Sequence, residues 1–217
     1  MDVPENIASW RKAQRAELIA RRLAVPDDKR ELWTAAITGF LIDGFPILRG
    51  LVVGFCWPYK GEVDPRFAIR ELRRHGARAA LPAVVQKAAP LQFREWAPGV
   101  AMTRGVFDLP VPDGTPVVDP QALLMPPIGF DRQAYRLGYG GGYFDRTLAA
   151  LKTRPLKIGV AFEASRIDTI FPQPHDIPMD FVVTERGIHR AGAGGLEVVA
   201  DLSRLNALVR DLGVAGA

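Results

Sequence analysis

Apolar residues return at helical spacing over residues 5–23, where Ile7, Trp10, Leu18 and Leu23 fall loosely on one side and charges occupy the rest. This predicts an amphipathic helix. The break "AVPDDKR" supplies a Pro and an Asp cap candidate, and a second helix is predicted over 29–41, with Leu32, Trp33, Ala36, Ile37 and Phe40 at three-and-four spacing. "LRGLVVGFCW" then reads as a buried strand, β-branched and aromatic and bounded by Gly50 and Pro58. "DPRFAIRELRRHG" predicts a helix with Asp64 as N-cap, Pro65 at the first helical position and a stop at Gly76, before the strand "ARAALPAVV". Strand, helix, strand with short connections is the βαβ pattern of a parallel sheet covered by helices.

Further strands are predicted at "LQFREW", "ALLMPPIGF", "KIGVAFE" and "FVVT", with a helix over 143–151 that places Phe144, Leu148 and Leu151 on one face. "DLPVPDGTPVVDP" reads as a surface connection, and "DLSRLNALVRDLG" as a last amphipathic helix stopped by Gly213. The fold class is α/β: a three-layer αβα arrangement with a mostly parallel, Rossmann-like sheet and helices on both faces.

A length of 217 residues fits one domain spanning 1–217, since domains run to roughly 150 residues. With 48% hydrophobic and 24% charged residues, the chain belongs with soluble globular proteins rather than disordered ones. The longest apolar run, "FPILRGLVVGFCW", is broken by Arg49 and falls short of the ~20 residues of a membrane span. The N-terminus lacks the apolar core of a secretory signal, so the expected location is cytoplasmic. Cys56 is the only cysteine, which excludes an intrachain disulfide and a cysteine-based zinc site. His75, His175 and His189 give it no nucleophile pattern. A net charge of +4 suits an anionic partner, but arginines spread over "RKAQR", "RR" at 21–22 and "IRELRRHGAR" read first as solvated helix faces. No nucleic-acid motif accompanies them, and neither nucleic acid nor membrane is an expected partner.

Chemistry concentrates at "RLGYGGGYFDR", where Gly138, Gly140, Gly141 and Gly142 lie between a strand and a helix starting near Tyr143. Unpartnered N–H groups at a helix N-terminus favour phosphate, and glycines remove each Cβ that would keep an anion from the backbone. The spacing fits neither a Walker loop nor a dinucleotide fingerprint, so a phosphate cradle and a plain tight turn stand level. Asp145 suits the first turn of the helix; beside phosphates it would need a Mg²⁺, with a second carboxylate from "PHDIPMDFVVT" at Asp176 or Asp180. Arg136 and Arg146 flank the loop. After the first strand, "FCWPYKGEVDP" offers the flat rings of Trp57 and Tyr59 and the carboxylate of Glu62, although such aromatics are more often core.

"RLGYGGGYFDR" preceded by "MPPIGFD" resembles the signature of the 5-formyltetrahydrofolate cyclo-ligase family, also called 5,10-methenyltetrahydrofolate synthetases. The likeness extends to the basic N-terminal helix, the "GEVD" segment, "GARAALP" and "HDIPMDFVVT". It implies that Arg11 and Arg15 of "RKAQR" touch nucleotide phosphates, with Lys12 as a substitute for Arg11. It implies a nucleotide-binding loop of Arg136, Leu137, Gly138, Tyr139, Gly140, Gly141, Gly142, Tyr143 and Phe144, of which Tyr139 to Tyr143 also face the folate. Trp57 and Glu62 would complete the folate site, Glu62 and Tyr143 would serve catalysis, and Asp145 and Asp180 would hold Mg²⁺. Two departures stand out: the Trp57-Pro58-Tyr59 insert, and Gly141 where some members carry Lys.

The reaction so implied is ATP + 5-formyltetrahydrofolate → ADP + phosphate + 5,10-methenyltetrahydrofolate. ATP is the co-substrate, and the positive chain suits both ATP and a polyglutamylated folate. Two other readings compete: a nucleotide-binding regulator of the same fold that has lost folate chemistry, and an RNA-associated protein using its arginine-rich helices.

Overall fold

The computed structural model describes residues 3–213. Five α-helices, α1 (Ile7–Leu23), α2 (Asp27–Gly44), α3 (Arg66–Arg74), α4 (Tyr143–Ala150) and α5 (Leu205–Arg210), surround the strands. The strands are β1 (Val52–Phe55), β2 (Arg78–Ala83), β3 (Gln92–Trp96), β4 (Met102–Arg104), β5 (Pro110–Pro112) and β6 (Ala122–Met125), followed by β7 (Gly129–Phe130), β8 (Arg136–Leu137), β9 (Leu156–Val160), β10 (Phe181–Thr184), β11 (Gly187–Gly192) and β12 (Gly195–Val198).

Eight of these strands form one sheet in the order β12-β11-β10-β9-β6-β1-β2-β3. The middle of the sheet, from β10 to β2, is parallel, and antiparallel pairs close both edges. Val53 of β1 lies between Ala79 of β2 and Ala122 of β6. From β1 the chain winds outward to β2 on one side and through β6, β9 and β10 on the other, so the winding reverses between β1 and β6. Open α/β sheets form their ligand crevice beyond the carboxyl ends of the strands at such a reversal.

Strand side chains alternate between two cores, as the period of two requires. Val53, Phe55, Leu124, Ile158, Phe181 and Val183 meet Ile37 and Leu41 of α2, Ile69 and Leu72 of α3, and Leu205 and Val209 of α5. Val52, Leu123, Met125 and Val182 point the other way, toward Phe130, Met179, and Phe144 and Leu148 of α4. Helices therefore cover both faces, as the sequence predicts. Leu18 anchors α1 against Ile128, Leu137 and Ile170, beside the small β7–β8 hairpin. At Gly54 a Cβ would lie 2.7 Å from Leu123 and Phe93, so only glycine lets β1 pass beneath the second core.

Several predicted boundaries shift. The first predicted strand loses its start to a 3-10 turn, Pro46–Gly50, whose Leu48 is buried without being extended. "ALLMPPIGF" is two strands, because Pro126 and Pro127 interrupt the pairing after Met125 and β7 turns away to pair with β8. α3 begins at Arg66 with Pro65 at the N-cap position, while Asp64 Oδ1 still accepts from Arg66 N at 3.0 Å. Pro26 precedes α2 without a side-chain cap, and Asp27 and Asp28 occupy its first turn. The predicted surface connection contains β5, paired with β4. β11 and β12 were not expected from the pattern at all, and the last predicted helix divides into a 3-10 turn, Leu202–Arg204, and α5.

Candidate functional site

Beyond the carboxyl ends of β1, β2 and β6 lies a cavity of about 250 Å³. Cys56, Pro82 and Met125 form part of its wall, so it occupies the point where the winding reverses. Its lining combines the guanidiniums of Arg11, Arg15 and Arg136 with aromatic and aliphatic side chains such as Trp57, Tyr59, Phe107 and Leu109.

The basic part draws on three elements. Arg11 and Arg15 stand one turn apart on α1, on the face that also carries Leu18. Arg11 donates to the carbonyls of Ile170 and Phe171 at 3.1 and 3.0 Å and to Asp176 Oδ2 at 2.5 Å, which fixes its guanidinium. Arg15 Nε donates to Gly138 O at 2.7 Å, and its head lies against Gly140, where a Cβ would approach Cζ to 3.3 Å. Burial, with the neighbouring Arg11 charge, lowers the Arg15 pKa, as expected of a cation short of counter-charge. Arg136, buried on β8, donates to Ile177 O and to Asp145 Oδ1, both at 2.6 Å. Burial lowers its pKa against the opposing pull of Asp145. Lys12, on the exposed side of α1, is not part of the lining.

The glycine loop closes this part. Gly140 and Gly142 have φ of +91° and +60°, left-handed values that a side chain would strain. Gly142 is the N-cap of α4, so the loop delivers backbone directly into a helix N-terminus. A Cβ at Gly141 would meet the Tyr143 ring at 2.7 Å, so the tyrosine ring packs against the loop at Gly141. Arg146 bonds to Gly141 O and stacks on Tyr143, with 5.3 Å from guanidinium to ring centre.

The carboxylates separate. Asp145 lines the cavity, its Oδ1 accepting from Arg136 and from Ile177 N at 3.1 Å. Asp176 lines it too. Burial pushes the Asp176 pKa up, but hydrogen bonds from Arg11 and Gln173 N outweigh that and hold it below the usual carboxylate range. Asp180, the expected partner of Asp145 at a metal, does not reach the cavity. It sits at the start of β10, where its oxygens accept from Lys157 N at 2.9 Å and Arg154 at 2.6 Å, with Lys157 Nζ at 3.1 Å. Among the described residues no three His, Cys, Asp or Glu side chains cluster as a metal cage. A Mg²⁺ shared between one or two carboxylates and bound phosphate does not need such a cage, and Asp145 with Asp176 fits that donor set.

The other part of the cavity contains the network around Glu62. Its Oε1 accepts from Tyr139 Oη at 2.6 Å and its Oε2 from Tyr59 N at 3.0 Å. Burial raises the Glu62 pKa to about 7, against the lowering effects of Tyr139, Arg22 and Tyr59 N. Tyr139 is itself pushed up, by burial and then by the Glu62 charge. Tyr59 packs on Tyr139 and on Phe107, with ring centres 5.7 and 6.4 Å apart. Trp57 packs edge-on to Trp96, and Arg66 lies over it at 4.6 Å. The Trp57-Pro58-Tyr59 insert thus turns into the cavity instead of looping away.

Trp57, Glu62, Arg11, Arg15, the whole stretch from Arg136 to Phe144, and Asp145 therefore converge on one cavity, while Lys12 and Asp180 do not. The sequence reading missed Val106, Phe107, Leu109 and Val111, which enter from the β4–β5 hairpin, and His175. Arg22, read from the sequence as part of a solvated helix face, does not line the cavity but is buried against Tyr139 and Glu62, on the helical face it shares with Arg11, Arg15 and Leu18. The arrangement can hold a multiply charged anion against arginines and backbone N–H groups, next to a flat, largely apolar ligand that offers a hydrogen-bond donor to Glu62.

Comparison with known proteins bears on the same residues. The model of the 5-formyltetrahydrofolate cyclo-ligase family matches residues 7–185. The chain is 32% identical over 183 residues to a 5-formyltetrahydrofolate cyclo-ligase of Mycolicibacterium smegmatis, covering 80% of this chain and 93% of that one. It is 29% identical over 173 residues to the enzyme of that name from Escherichia coli, covering 76% and 93%. The NMR structure of Aquifex aeolicus 5,10-methenyltetrahydrofolate synthetase superimposes with a TM-score of 0.73 at 25% identity, covering 88% and 96%.

Proposed function

The chain belongs to the 5-formyltetrahydrofolate cyclo-ligase family, and from that premise we propose that it converts 5-formyltetrahydrofolate to 5,10-methenyltetrahydrofolate with cleavage of ATP to ADP and phosphate. The single observation that carries the reading is the convergence of an arginine-and-glycine anion site and the Glu62 network on one cavity.

A formamide carbon is a poor electrophile and its oxygen a poor leaving group. Transfer of the γ-phosphoryl group to the formyl oxygen cures both: N10 of the folate attacks the resulting iminium phosphate, the C–O bond breaks, and phosphate leaves with the former formyl oxygen. Catalysis of this kind rests on alignment and charge stabilisation more than on a protein nucleophile. The site has the matching parts. Arg11, Arg15 and Arg136, with the loop backbone from Gly138 to Gly142, receive the phosphates. Trp57, Tyr59 and the hairpin side chains pack on the folate, and Glu62 accepts from a pterin N–H. Tyr143, packed against the glycine loop, borders both ligands near the formyl group.

Asp145 and Asp176, which both line the cavity, would hold Mg²⁺. The ion would neutralise charge on the ATP phosphates. Fixed guanidiniums supply the remaining counter-charge, because Arg11 and Arg136 are already held by backbone carbonyls and need little reorganisation. The chain acts on this reading as one cytoplasmic domain, and its positive charge also suits a polyglutamylated folate.

Mixing the protein with Mg·ATP and 5-formyltetrahydrofolate tests the reading. The absorbance of methenyltetrahydrofolate should rise, with one ADP formed per product. ADP release without methenyltetrahydrofolate would point instead to a nucleotide-binding protein that has lost folate chemistry.

A further inference from the structure

Arg22 is a charged side chain with only 4% of its surface exposed, and none of the roles above uses it. Its neighbour Arg21 is exposed and pairs with Glu17 along the helix surface. Arg22 instead reaches across from α1 to two other segments. Its Nε donates to Lys60 O at 2.9 Å and its Nη2 to Tyr139 Oη at 3.1 Å, and Nη2 lies 3.8 Å from Glu62 Oε1. A buried guanidinium is costly to desolvate and persists where its donors are used.

We propose that Arg22 is a positioning residue for the folate half of the reaction, holding the Glu62 carboxylate charged and aimed into the cavity, directly and through Tyr139. The inference rests on the folate reading of the Glu62 network.

The geometry supports this over plain packing. Lys60 and Gly61 are consecutive left-handed residues, with φ of +48° and +71°, and turn the chain so that Glu62 faces inward. The bond from Arg22 to Lys60 O pins that turn. The Tyr139 hydroxyl has one proton and gives it to Glu62, so the hydrogen bond from Arg22 to the same oxygen sets the direction of the relay. Among the described residues no other cation is seen to pair with Glu62. Arg30, from α2, bonds to the Arg22 backbone carbonyl. Other titratable groups near Glu62 include Tyr139, Tyr59 with its ring on Tyr139, Lys60 two residues before it, and the Cys56 thiol at the end of β1; burial, then the Glu62 charge, pushes that thiol up. Arg22 is among the influences that hold Glu62 down against burial.

Two readouts separate this role from a structural one. The first is the titration of the Glu62 carboxyl carbon by NMR without ligands, its resonance assigned by loss in Glu62→Gln. Arg22→Met should raise the midpoint by about one pH unit, and Arg22→Lys, which keeps the charge, should hold it near the wild-type value. The second is the pH profile of turnover. Arg22→Met should move the acidic limb of kcat/KM for 5-formyltetrahydrofolate upward by the same amount and lower the rate at pH 7 about fivefold, as the charged fraction of Glu62 falls, leaving KM for Mg·ATP within about twofold. Arg22→Lys should restore the limb but not the full rate, because it cannot serve Lys60 O and Tyr139 together.

An unmoved Glu62 midpoint in Arg22→Met, or an even loss of rate at every pH with both KM values raised, would overturn the proposal. Should Arg22→Met fail to fold, Arg22→Lys carries the test alone: a midpoint shifted as far as a charge loss demands would overturn it. A wild-type protein without methenyltetrahydrofolate production would refute the function, while the carboxyl titration would still decide whether Arg22 governs Glu62.

Discussion

Glu62 is buried where its charge costs the fold. Its pKa is raised to about 7, mainly by burial, so the folded state holds its proton more tightly than the unfolded chain does. The stability that comes with the proton is complete below the ordinary carboxylate pKa and is lost as pH rises through about 7. Glu62→Gln imitates the protonated form. The variant should therefore melt at a higher temperature than wild type at pH 8, and the difference should vanish toward pH 4. At pH 8 it should also lose about 10- to 100-fold in kcat/KM for 5-formyltetrahydrofolate, the cost of a hydrogen bond to a charged group, while KM for Mg·ATP stays within about twofold. Calorimetry across pH and a two-substrate kinetic analysis check both. A variant equally stable at all pH values would deny that Glu62 is held charged at a cost.

The β4–β5 hairpin makes a corresponding case among the elements. At its tip Phe107 and Asp108 have left-handed φ of +61° and +59°, and Phe107 remains 59% exposed while lining the cavity. An exposed phenyl in a strained turn contributes little to the fold and offers apolar area to a ligand. Phe107→Ala should leave the melting temperature within about a degree and raise KM for 5-formyltetrahydrofolate about fivefold, equivalent to about 1 kcal/mol of lost apolar contact. Unchanged KM would remove the hairpin from the folate site. The sequence conceals this element because its prolines, Pro110 and Pro112, look like connection, yet β5 is an edge strand, where proline is tolerated. β11 and β12 escape for a similar reason: "GIHRAGAGGLEV" alternates weakly and is rich in glycine, which lowers strand propensity but allows an edge hairpin. The parallel strands, in contrast, are short β-branched and aliphatic runs bounded by turn residues, and that pattern is legible directly. Individual residues divide in the same way. The glycine loop declares itself through Cβ-free positions, whereas Arg22 is hidden by the exposed Arg21 beside it, and Asp180 looks available until Lys157 and Arg154 are seen to take its oxygens.

For the whole molecule, the sheet reverses its winding at β1 and β6, and at that point the anion site and the Glu62 network face a common space. α1 brings Arg11 and Arg15 to its lining and sets Arg22 behind Glu62 and Tyr139, so a single helix contacts both the glycine loop and the Glu62 network. β11, β12 and α5 follow residues 7–185 of the family match, and β11 and β12 extend the sheet on the side away from β1 and β6. They serve the core rather than the cavity: Ile188, Leu205 and Val209 are all buried in the first core. On the proposed function, this one cavity sets the γ-phosphoryl group of ATP on the formyl oxygen. The most direct test is a single-turnover reaction with 5-formyltetrahydrofolate labelled with ¹⁸O in the formyl group, analysed by mass spectrometry of the inorganic phosphate. The account predicts one ¹⁸O in each phosphate released, matched to one methenyltetrahydrofolate formed. Label lost to water, with unlabelled phosphate, would contradict it.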